Sequence, residues 1–460
     1  MENFISFCTY IPLKICLSLV FSVLLTWAYY HFSQKWNTVS NIVSIIIPLT
    51  LFWYAIITLV CNVPFWDDYD AILRYLSRPL VERINILTSF HNEHRILIPR
   101  ICFEVIHFIF GTFNFSACII LGDIILVSYI LILGSKITRT TQWEFFIPFI
   151  WLFLDLANYE NTLWALTAIQ SHAVLLLSLL ACICFNKSED HNGYFYLSLI
   201  FAAAATYTSG SGMGIWPALV VCAIKRFWLS QHFKVSALLT IKNITLILTM
   251  FCLMGVYLNG FAENSTRLAL ETPPPQTTFM AGCINRIDFF FSFLGAFVPF
   301  HFIALPLGIP VFALIVFILI NVKRITNNTI FTFWLYLLSI IFSGTLFRGN
   351  TGGGAAVALR YGIVSFSILA CSVALATPII NCNQKFLPAW NALGKFLLFG
   401  CILINLSVLL LGYNLVGIRK QNLTKGISEW RHSSEGLQYP DKTRAWSILK
   451  TAIDTHVYLP

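Results

Sequence analysis

Twelve apolar runs decide what this chain can fold into. They fall near residues 15–32, 41–61, 113–133, 143–156, 166–185, 194–207, 215–224, 235–257, 305–320, 329–347, 362–380 and 393–411. A helix needs roughly 20 such residues to cross a bilayer, and backbone inside hydrocarbon must satisfy its own hydrogen bonds. The pattern predicts an all-α polytopic membrane protein with about 11–12 transmembrane helices, several of them short. A hydrophobic share of 58% over 460 residues, with no long polar interval, leaves no separate soluble domain. The run at 15–32 lacks a basic start and a small-residue cleavage site, so it reads as a permanent helix, with its crossing left open.

The charges agree with a membrane setting. A formal charge of +9 is modest for this length, and the basic residues sit between apolar runs or in the tail, so nucleic-acid binding is not indicated. Many of the 13 cysteines lie inside apolar runs, and no CxxC pair or Cys/His zinc spacing occurs, which argues against a disulfide framework. Lys35, Lys136 with Arg139, Lys187, Lys225 with Arg226 and Lys234, Lys323 with Arg324, and Lys385 with Lys395 fall in alternate connections. Basic connections stay in the cytoplasm. By the same parity residues 62–111, 259–288, 348–360 and the tail at 416–460 face the other side.

The segment 62–100 is the least compatible with lipid. It holds three aspartates, two glutamates, two histidines and five arginines in a chain that is 11% charged. Unpaired ions cost several kcal/mol or more in hydrocarbon, so this loop stands in water or at the membrane edge. Pro64 stops the preceding helix, Asp67 or Asp68 can cap the next, and Asp70 and Arg74 can pair one turn apart. Two amphipathic surface helices are expected, the second reaching about Phe90, followed by a polar knot at residues 91–95. Residues 262–288, with Pro273 to Pro275, are expected to be extended.

Together WDDYD (66–70), HNEHR (91–95), YENTLWALTAIQ (159–170), YTSGSGMGIWPA (207–218), FFFSFLG (289–295) and LRY (359–361) resemble motifs of polytopic bacterial glycosyltransferases of the GT-C type. The likeness includes the serotype-converting O-antigen glucosyltransferases. It implies a multipass inner-membrane enzyme with a periplasmic acidic active-site loop within a unit spanning 1–415. Such an enzyme takes a hexose, glucose by default, from a polyprenyl-phosphate donor to a lipid-linked glycan acceptor. It also implies a functional link to a flippase and to a glycosyltransferase that makes the donor. Asp67 and Asp68 occupy the place of the family's loop acid.

The reaction needs a carboxylate to take a proton from an acceptor hydroxyl and cations to balance the departing phosphate. Asp67 and Asp68 are the candidate bases. Asp70, Glu93, His94, Arg95, Glu160, Gln170, Arg348, Arg360 and Tyr361 are candidate substrate contacts. Gly352 to Gly354, with a helix starting near Ala355, are expected to aim free N–H groups at an anion. HxxH within a loop is weak evidence for metal, so no cofactor is indicated, a divalent ion being left open. Each candidate also has a structural reading: Asp67 caps a helix, Asp70 only pairs with Arg74, Arg360 reaches for lipid headgroups. Two rival functions remain, a repeat-unit polymerase and an ion-coupled transporter using the membrane acids Asp123 and Asp155.

Overall fold

The computed structural model describes residues 18–31, 37–138, 145–229, 241–264, 278–381 and 387–460. In chain order its main helices are α1 (18–31), α2 (Asn37–Leu59), α3 (Leu97–Phe110), α4 (Phe115–Ile137), α5 (Ile147–Phe153), α6 (Ala165–Lys187), α7 (Asn192–Thr206), α8 (Ile215–Leu229), α9 (Ile241–Leu258), α10 (Phe279–Leu294), α11 (His301–Ile320), α12 (Asn328–Arg348), α13 (Gly362–Asn381), α14 (Leu387–Ser428) and α15 (Lys442–Asp454). Local chemistry sets several starts. Asn114 accepts the Ala117 amide to cap α4, Asn327 does the same for α12 through Ile330, and Asp441 caps α15 through Arg444.

Eight helices, α2, α4, α6, α9, α11, α12, α13 and α14, are long and apolar enough to cross a bilayer, as befits a multi-pass membrane protein. The expected count of 11–12 is therefore too high for full-length spans among the described residues. The runs at 143–156, 194–207 and 215–224 fold as α5, α7 and α8, of 7, 15 and 15 residues. Fifteen residues reach only about 22 Å against a hydrocarbon core of about 30 Å. In α5 every side chain is buried, so neighbouring helices stand where lipid would be.

Burial separates an inner group from an outer one. In α13, 83% of the most apolar window is enclosed, against 11% in α9, which makes α13 core and α9 lipid-facing. The inner helices α4 and α6 cross at Gly122, where an added Cβ would lie 2.6 Å from the Ala168 Cβ. Only glycine lets the backbones meet so closely.

The segments expected to face the outer side differ from expectation in four places. The second loop helix, Leu80–Asn85, stops well before Phe90, because Arg100 gathers the carbonyls of Ile86, Leu87 and Ser89 into a turn at 2.6, 3.0 and 2.9 Å. Residues 91–95 are not an irregular knot: Phe90–His91 and His94–Arg95 pair as a two-stranded antiparallel hairpin. Residues 279–288 are helical, being the first turns of α10, while Pro273 to Pro275 lie outside the described residues. Finally, α14 runs unbroken for 42 residues through the boundary drawn at 415. At about 63 Å it is twice the thickness of the hydrocarbon core. Leu80, Val81 and Ile84 of the loop, and Phe108, Ile109 and Phe110 of α3, are exposed, as suits elements lying along a membrane surface.

Candidate active site at the outer loop

The two adjacent aspartates have opposite environments. Asp68 is 1% exposed, and its carboxylate accepts three hydrogen bonds. Its Oδ1 accepts the Leu166 amide at 3.0 Å and the Trp164 indole N–H at 3.1 Å, and its Oδ2 accepts the Phe65 amide at 3.1 Å. Burial pushes the Asp68 carboxyl up to about 7, although these donors oppose the rise. Asp68 therefore does not cap the turn that follows it, which has no side-chain cap. It caps α6 from across the fold, and its burial keeps the carboxylate out of reach of solvent.

Asp67 points the other way and is half-buried. Among the described residues its one side-chain hydrogen bond comes from the Asn92 amide at 3.3 Å. Burial and the nearby Asp70 carboxylate push its carboxyl up, while Arg360 and the Asn92 hydrogen bond pull it down. A partly exposed carboxylate with spare lone pairs and a raised pKa is a stronger proton acceptor than an ordinary one. Asp67, not Asp68, fits that description.

Asn92 comes from the tip of the hairpin. With φ of 49° it takes the left-handed conformation that a two-residue turn demands and that asparagine tolerates. The next tip residue, Glu93, pairs with Arg348 of α12. His94 accepts the Gly210 amide on Nδ1 at 3.3 Å, and its Nε2 lies 3.8 Å from Glu93. Burial and then the Arg360 charge lower its pKa to about 4, so it is neutral at physiological pH. Arg95 is not free to bind a ligand. Its guanidinium donates to the carbonyls of Tyr257 at 2.8 Å and Thr88 at 2.6 Å, covers the Phe90 ring at 4.1 Å, and so moors the hairpin to α9.

The segment after α12 completes one wall. Arg348 donates to the Tyr361 hydroxyl at 2.8 Å while holding Glu93. Tyr361 packs on Phe293 with centroids 5.0 Å apart. The glycine turn is not an open anion site, because an anion already fills it: the Gly353 amide donates to Asp288 Oδ2 at 2.7 Å. His301 binds the other oxygen of Asp288 at 2.8 Å. Arg360 is the exception in this wall. It is exposed, it influences both Asp67 and His94, and its guanidinium makes no hydrogen bond or ion pair among the described residues. Its carbonyl is pinned at 2.9 Å by Asn161, which fixes the base of the side chain.

Four groups that the sequence reading did not single out complete the surroundings. Tyr439 and Arg444, from the tail, both bind Asp70, which also pairs with Arg74 at 3.2 Å. Burial alone would raise the Asp70 carboxyl, but the Tyr439 hydroxyl and these guanidiniums hold it below its usual value. Asp70 is thus a structural anion. Arg419 of α14 stacks over Phe65 at 4.3 Å and Tyr159 at 5.5 Å, beneath the Asp67 turn. Asn92 is the fourth, legible only as the first residue of a short turn between FH and HR. The Glu160 and Gln170 side chains are half-buried and make no hydrogen bond among the described residues. Nothing brings either of them to Asp67. No group of three metal-binding side chains occurs among the described residues.

Compared with protein-family models, curated proteins and solved structures, the chain matches none.

Proposed function

We propose that the chain is a glycosyltransferase of the bacterial inner membrane, acting on its periplasmic face with a polyprenyl-phosphate hexose as donor. The observation that carries this reading is a raised-pKa carboxylate, Asp67, held by only the Asn92 amide among the described residues, within the electrostatic reach of Arg360, whose guanidinium covers the Tyr361 ring at 5.5 Å and makes no hydrogen bond or ion pair among them. Asp67 takes the proton of an acceptor hydroxyl. The freed oxygen lone pair forms the new bond to the anomeric carbon, and the bond from that carbon to phosphate oxygen breaks with its electrons leaving on the polyprenyl phosphate. Arg360 balances that charge, which a bidentate guanidinium does better than an ammonium. The acceptor is a lipid-linked O-antigen or related surface glycan, with glucose the default sugar.

Mass analysis of the surface glycan from cells with and without the protein tests this reading. A single-hexose increment on the glycan is expected. A change in chain length without that increment replaces transfer by polymerisation, and an unchanged glycan ends both. Sidedness is tested by impermeant thiol labelling: a cysteine introduced near Arg83 should react from outside and one near Lys225 should not.

One observation favours a transporter instead. Asp123 is buried in α4 with neither carboxylate oxygen hydrogen-bonded among the described residues, as a proton-coupled carrier would require. Asp123→Asn separates the two. Glycan modification that persists in this variant supports the enzyme.

A further inference from the structure

Next to Asp67 stands a residue that the catalytic reading does not use, and whose one ring contact among the described residues is with its neighbour Phe65, centroids 6.1 Å apart. Trp66 has φ of 46°, a left-handed conformation that is a genuine outlier for so bulky a side chain. Such backbone persists only when its surroundings impose it, and it concentrates at functional sites. Here the imposition is visible. The Trp66 amide donates to the Gln438 carbonyl at 2.9 Å, the Asp68 amide to the Phe65 carbonyl at 3.0 Å, and the Asp68 carboxylate takes the Phe65 amide at 3.1 Å. The result gives two touching aromatics different surroundings. Phe65 turns inward onto Trp164, with centroids 5.2 Å apart, and Trp66 turns outward, 48% exposed, with its indole N–H unused among the described residues.

Exposing an indole forfeits its burial, and holding it in a left-handed turn adds strain, so the packing alone gives no reason for a tryptophan here. An aromatic face beside an acid is what a pyranose requires. The axial C–H edges of the sugar lie on the ring while its hydroxyls meet the carboxylate. An interfacial belt is the other common use of exposed tryptophan. The Trp66 backbone instead joins the tail at Gln438, next to the Tyr439 whose hydroxyl binds Asp70.

We propose that the Trp66 indole is the stacking platform of a hexopyranose subsite, holding the acceptor sugar whose hydroxyl faces Asp67. This rests on Asp67 being the base.

The test uses the full chain in lipid nanodiscs, titrated with a panel of methyl hexopyranosides whose binding is read by saturation-transfer NMR of the sugar, with tryptophan emission followed separately to place the indole. At least one sugar should give a saturable change at millimolar concentration, lost in Trp66→Leu and weakened roughly 2- to 10-fold in Trp66→Phe. Asp67→Asn should retain it. Trp66→Gly should unfold at the same temperature as wild type or higher, since glycine adopts the turn freely, yet bind no sugar. No response to any sugar up to about 100 mM, a response that survives in Trp66→Leu, or a loss of stability in Trp66→Gly would overturn the subsite. So would brominated acyl chains quenching the emission that Trp66→Leu removes, which would put the indole in the bilayer. The two readings fail separately. Sugar binding without hexose transfer sinks the enzyme and leaves the subsite, and transfer with unchanged acceptor KM in Trp66→Leu does the reverse.

Discussion

Asp68 caps α6 from 98 residues away, accepting the Leu166 amide at 3.0 Å. The same oxygen holds the Trp164 indole, so one carboxylate ties the acidic loop to a buried helix of the bundle. Asp68→Ala would strand three N–H donors, two of them buried, and leaving a buried donor unsatisfied costs about 1–3 kcal/mol. Thermal unfolding in detergent should show that loss.

Asp67→Asn is the contrasting substitution. It keeps size and the option of a hydrogen bond to Asn92, but removes the proton acceptor. Folded yield should match wild type while the transfer rate falls roughly 10²- to 10⁴-fold. Normal glycan modification by this variant would remove Asp67 from the mechanism.

For Arg360, the informative change is to lysine, which preserves charge and loses the bidentate fork. Donor KM should rise or turnover fall at unchanged protein level. Unchanged donor kinetics would make Arg360 a residue that only reaches for headgroups.

The hairpin carries a pH dependence. Its His94 has a pKa of about 4 in the fold, below the ordinary 6.5, so the unfolded chain binds more protons between these values. Stability from this group is complete above about 6.5 and is lost as pH falls toward about 4. Protonation would set an N–H against the Gly210 amide. His94→Gln can keep the acceptor without the titration, so the acid-side fall in hydrogen-exchange protection of the hairpin should flatten.

The glycine turn separates two neighbouring positions. A Cβ at Gly353 would lie 2.3 Å from His301 Nε2 and 2.6 Å from Asp288 Oδ1, atoms that hold each other and cannot both step aside. At Gly354 it would meet nothing within 4 Å. Gly353→Ala should cost about 1–3 kcal/mol and loosen Arg348, while Gly354→Ala should be neutral or slightly stabilising.

Legibility in the sequence followed the range of the interactions. Apolar runs report local burial, so the helices of the bundle were readable, although α5, α7 and α8 looked like spans because burial against protein and against lipid select the same residues. The acidic loop was readable for the same reason. What separates Asp67 from Asp68 was not, because Asp68 is defined by Trp164 and Leu166 and Asp67 by Asn92 and Arg360, all remote in sequence. Arg95 looked like a ligand contact and is a mooring, since a carbonyl partner such as that of Tyr257 leaves no trace in composition.

The tail fastens the loop at both ends and in the middle, through Tyr458 to Asn62, Val457 to Phe113 and Tyr439 to Asp70. Asp70 precedes its tyrosine by 369 residues. At a ribosomal rate of about 5–20 residues per second, the acid waits roughly 20–70 s for that partner. During biogenesis the helices can insert and pack in turn while the acidic loop is still unfastened, so that loop is the last part of the newborn chain to be secured. A nascent chain stalled before residue 439 would sit in the membrane with Asp70 lacking its tail partners.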